Sequence, residues 1–88
     1  MGMINQNSIT FTVWEGDPHL KILLEPEAFI LTVNPGEELT FSVKNASLGF
    51  SWTIRHERDY IQLFPATLGR NGRIEIFRNG SSSSELDF

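Results

Sequence analysis

The sequence predicts an all-β domain: a small antiparallel β-sandwich of about seven strands, with a partly open β-barrel as the alternative. Three observations carry this. Ser8 to Trp14 and Glu38 to Lys44 are apolar at every second position, the pattern of a strand with one buried face. No stretch long enough for a helix keeps a helical period. Turn residues cut the chain at nearly regular spacing, as sandwiches and barrels require.

The first strand, Ser8 to Trp14, points Ile9, Phe11 and Val13 inward. Glu15-Gly-Asp-Pro-His then turns the chain, Gly16 by tolerating positive φ and Pro18 by fixing its own. Leu20 to Glu25 follows with Leu20, Ile22 and Leu24 inward, leaving Leu23 on the other face. Ala28 to Val33 is nearly continuously apolar through Phe29, Ile30 and Leu31, as for a strand covered on both faces. Asn34-Pro-Gly-Glu puts Pro35 and Gly36 at the centre of a type II turn. Glu38 to Lys44 points Leu39, Phe41 and Val43 inward. Phe50 to His56 places Phe50, Trp52 and Ile54 on one face, and Glu57-Arg-Asp forms the tip of the hairpin into Tyr60 to Phe64. After the loop Pro65 to Gly72, Arg73 to Arg78 is the last strand, with Ile74 and Ile76 inward.

Pro-Gly-Glu ahead of a clean strand, with Trp52 one strand later, is similar to the second and third strands of immunoglobulin-like sandwiches. The likeness covers this short stretch and implies an architecture, not an activity. The strand pattern and the composition of the two ends divide the chain into residues 1–7 as a disordered or tag-derived start, 8–80 as a single β-domain, and 81–88 as a flexible Ser-rich acidic tail.

Eighty-eight residues form one small domain, and the absence of cysteine removes disulfides, thiol chemistry and Cys-based zinc from consideration. The start has neither a basic region nor an apolar run, so a cytoplasmic protein without a membrane segment is expected. The net charge of −4 is unevenly spread. Up to Lys44 two lysines face six acids (Glu15, Asp17, Glu25, Glu27, Glu37 and Glu38), whereas all five arginines lie between Asn45 and Gly80 with three acids.

No nucleophile elbow, phosphate loop or zinc signature is present. His19 and His56 each have acids nearby but read as turn residues, and no cofactor or metal is expected. Gly69-Arg-Asn-Gly72 offers backbone donors to an anion, with Arg70 beside them, or is a plain hairpin loop. Arginines interleaved with Trp52, Tyr60, Phe64 and Phe77 are the ingredients of single-stranded nucleic acid binding, but the acidic total disfavours a polyanion. Trp14, Tyr60, Phe64 and Phe77 fall out of phase with the inward set, and outward rings mark interfaces or sugar-stacking platforms.

These features together predict a non-enzymatic protein–protein interaction module, with a protein partner or a second copy of the chain on Trp14, Tyr60, Phe77, Arg73 and Arg78. The alternatives are an inhibitor or immunity-type protein presenting the six early acids to a basic partner, and a binder of single-stranded nucleic acid or carbohydrate.

Overall fold

The computed structural model describes residues 7–83. The expectations for residues 1–6 and for the tail beyond Ser83 lie outside the described residues. Eight strands run in chain order: β1 (Ser8–Thr12), β2 (Leu20–Leu24), β3 (Phe29–Val33), β4 (Glu38–Lys44), β5 (Ser51–His56), β6 (Ile61–Ala66), β7 (Arg73–Arg78) and β8 (Ser81–Ser83). There is no helix among the described residues, hence none long and apolar enough to cross a membrane.

The strands form two four-stranded sheets, ordered β1-β4-β7-β8 and β3-β2-β6-β5, and do not close into a barrel. Both contribute to one core. Leu39, Phe41 and Ile76 of the first sheet cluster with Ile22, Leu24, Leu31, Val33 and Leu63 of the second, and Val13 joins them from the turn after β1. The period-two residues supply this core, because only one face of each sheet is shielded from water. Phe41 is fully buried and meets Phe11 and Trp52 edge-on, at centroid distances of 6.0 and 6.2 Å.

Four details differ from the sequence-based expectation. The pairing is not antiparallel throughout: β2 and β6 are parallel, with Ile22 opposite Ile61 and Leu24 opposite Leu63. The strand count is eight, since Asn79-Gly80, both at positive φ, turns the chain tightly into β8, where Ser81 opposes Arg78. Paired positive φ at Asn-Gly is what a two-residue hairpin turn needs. β3 is not covered on both faces: it is an edge strand, and Ile30 is 69% exposed. Ile54, expected inward, is 48% exposed on β5, the opposite edge strand of the same sheet.

The Pro-Gly turn matches its expectation. Glu37 N donates to Asn34 O at 3.0 Å, and Gly36 holds φ +83°, the left-handed value that glycine adopts without steric cost. It joins two strands of different sheets, and Gly36 N donates to Val13 O at 2.7 Å, binding the corner to the end of β1.

Each half of the chain contributes a two-stranded pair to each sheet. β1–β4 and β2–β3 come from the first half, β7–β8 and β5–β6 from the second. The halves meet along β4–β7, from Leu39 opposite Arg78 to Lys44 opposite Arg73, and along β2–β6.

Candidate functional site

The outer faces of the two sheets differ in chemistry. On β1-β4-β7-β8 the outward positions include Ser8, Thr10, Thr40 and Ser42. Their hydroxyls bond one another, Ser8 Oγ to Ser42 Oγ at 3.0 Å and Thr10 Oγ1 to Thr40 Oγ1 at 2.7 Å. These four hydroxyls satisfy one another.

The outer face of β3-β2-β6-β5 carries an apolar patch on its β3–β2 side. Register places Ile30 of β3 directly opposite Leu23 of β2, and Leu23 opposite Gln62 of β6. Tyr60, two residues before Gln62, is 36% exposed at the near end of β6. Leu23, Ile30 and Tyr60, with Lys21 and Asp59, line a shallow hollow of about 360 Å³. Gln62 Nε2 donates to Glu25 Oε2 at 3.2 Å, a polar bond across β2 and β6. The hollow therefore carries an apolar floor, one cation and one anion.

The five residues singled out from the sequence do not gather. Tyr60 belongs to this apolar face. Phe77 and Arg73 lie on the other sheet's outer face, Phe77 half-buried opposite Thr40 and Arg73 exposed opposite Lys44. Trp14 is 77% exposed in the loop after β1. Arg78 is half-buried and bonded within the fold, donating to Thr32 O at 2.9 Å and meeting Glu37 Oε1 at 3.4 Å.

The charged groups are likewise dispersed. Glu15, Asp17, Glu37 and Glu38 sit where the β2–β3 hairpin opens, and Glu25 and Glu27 in the loop that closes its other end. Arg55 pairs with Glu57 at 2.8 Å. Neither the acidic set nor the arginine set forms one continuous surface. Among the described residues no three His, Asp or Glu side chains are grouped to hold a metal ion.

Sequence reasoning missed Leu23 and Ile30, although their signal was present. Both are the out-of-phase apolar residues of consecutive strands, and a hairpin closed through Glu25 to Ala28 sets them opposite each other. Comparison with known proteins finds no matching family model, no similar curated protein and no similar solved structure.

Proposed function

We propose that this protein is a non-enzymatic interaction module that binds a protein partner through the outer face of β3-β2-β6-β5. The observation that supports it best is Ile30, which leaves most of its side chain in water on an outer sheet face beside Leu23 and Tyr60. Burying a side chain of this kind is worth about 1.5–3 kcal/mol, and three together make an anchor of the size that protein interfaces use. An immunoglobulin-like sandwich is the architecture we infer. It is supported by β4 and β5 lying in different sheets, with Trp52 packed on the core; the parallel β2–β6 pair is its own departure.

A second copy of the chain is the simplest occupant. Lys21 and Asp59 flank the apolar floor with opposite signs, so a two-fold axis through the hollow would set each against its opposite on the other copy. The test is sedimentation velocity over a concentration series, comparing the wild type with Ile30→Asp. A dimer present only in the wild type, with both proteins folded by circular dichroism, supports self-association. A wild-type monomer that retains one stoichiometric partner, lost in Ile30→Asp, supports a different protein on the same face. Monomers that retain the same proteins or none overturn the reading.

A further inference from the structure

At the far end of the other sheet, β4 and β7 bring like charges together. Lys44 and Arg73 are directly opposite in the β4–β7 register and point to the same face. Like charges so placed repel and lower stability. Arg70, in the loop before β7, lines the same cleft, together with Asn45, Ala46, Asn71, Gly72 and one carboxylate, Glu75.

None of Lys44, Arg70 and Arg73 makes an ion pair among the described residues, whereas Arg55 and Arg78 each have a carboxylate partner. Three cations against Glu75 leave the cleft with an excess of two positive charges in a chain whose total is −4. The cleft is also held in shape. A Cβ on Gly72 would collide with the Leu68 carbonyl and side chain, so the loop that carries Arg70 is closed tightly on itself. Asn45 holds φ +58° at the turn out of β4.

We propose that this cleft binds a phosphate dianion, carried by a small phosphomonoester. A phosphoryl group at neutral pH bears close to two negative charges, which matches the excess. The volume of about 830 Å³ falls in the range of small-ligand sites, roughly 300–1,000 Å³. Lys44 and Arg73 reach it from adjacent strands and Arg70 from the loop, so an anion between them removes the repulsion that the empty register carries. The site lies on the sheet opposite the apolar hollow and does not depend on it.

Titration of the ¹⁵N-labelled chain at constant ionic strength, with inorganic phosphate, ribose 5-phosphate and chloride in turn, tests this. The expected result is saturable amide shifts confined to residues 44–46 and 70–75, seen with the phosphates and absent with chloride. Arg70→Gln and Lys44→Gln should each weaken binding about two- to fivefold, the effect of one exposed charge pair. Tighter binding of ribose 5-phosphate identifies an ester ligand, whereas tighter binding of inorganic phosphate replaces it with the free ion and overturns the ester assignment. A second readout is thermal: Lys44→Gln should raise the unfolding midpoint without anion, and phosphate should stabilise the wild type more than this variant. Shifts that are linear, equal with chloride, or spread to Arg55 and Arg58 would overturn the site.

Discussion

The Arg78 guanidinium, on β7 of one sheet, donates a 2.9 Å hydrogen bond to the Thr32 carbonyl on β3, an edge strand of the other. Glu37 Oε1, in the turn that carries the chain from β3 to β4, lies 3.4 Å from the same nitrogen and also accepts from Asn34 N at 2.8 Å. One side chain thus ties both sheets to the corner between them. Arg78→Ala should destabilise the domain by about 1.5–3 kcal/mol, the net worth of a charged hydrogen bond. Arg78→Lys should recover part of the loss, since it keeps the charge but not the planar fork. Urea unfolding of the three proteins measures both effects.

Phe41 is the largest fully buried side chain and touches rings from both sheets. Phe41→Ala should cost about 3–5 kcal/mol, close to the whole stability of a small domain. Ile22→Val, equally buried, should cost only about 0.5–1.5 kcal/mol. Thermal or urea unfolding that ranked the two the other way would place the centre of the core elsewhere.

The two tryptophans are opposites. Trp14 stands in solvent, while Trp52 packs on the core, donates from Nε1 to Asn7 O at 3.1 Å and meets Phe50 edge-on at 5.2 Å. Acrylamide should quench the fluorescence of Trp52→Phe, which reports Trp14, much more strongly than that of Trp14→Phe. On unfolding, the difference should vanish.

Thr67 holds φ +59°, a conformation that a β-branched residue adopts at a cost of about 1–3 kcal/mol. Its carbonyl accepts from Ser47 Oγ, a backbone bond that a substitution at Thr67 leaves in place. Thr67→Asn should therefore stabilise the domain by about 0.5–1 kcal/mol. Gly36→Ala should do the reverse, because it adds a Cβ at φ +83° that also meets the Glu15 side chain. Paired urea curves decide each sign.

What the sequence made legible follows from burial. Wherever one sheet face is shielded, the period-two pattern names the inward residues, and Leu39, Phe41, Ile22 and Leu24 are buried as read. It was silent where pairing is not driven by apolar burial. β8 is three serines, and its only signal is the Asn79-Gly80 turn before it. Strand order was equally hidden, since an apolar run reads alike in a central strand and in an edge strand such as β3; Ile30 passed for core on that account. The candidate face was half visible: Tyr60 was picked out by phase, but Leu23 and Ile30 needed the hairpin register to become neighbours. The pairing of Lys44 with Arg73 depends on which strands adjoin, and spacing along the chain does not contain that.

The way each half of the chain supplies two strands to each sheet has a consequence for how the halves hold together. The acidic first half and the arginine-bearing second half are the two sides of an internal seam along β4–β7 and β2–β6. Leu48, 99% exposed in the loop between the halves, is where a protease would reach the backbone. A chain nicked there should still migrate as one particle under native conditions, its two pieces held by strand pairing and a shared core. They should separate only in denaturant. The molecule would then be a complementation pair that happens to be translated as a single polypeptide.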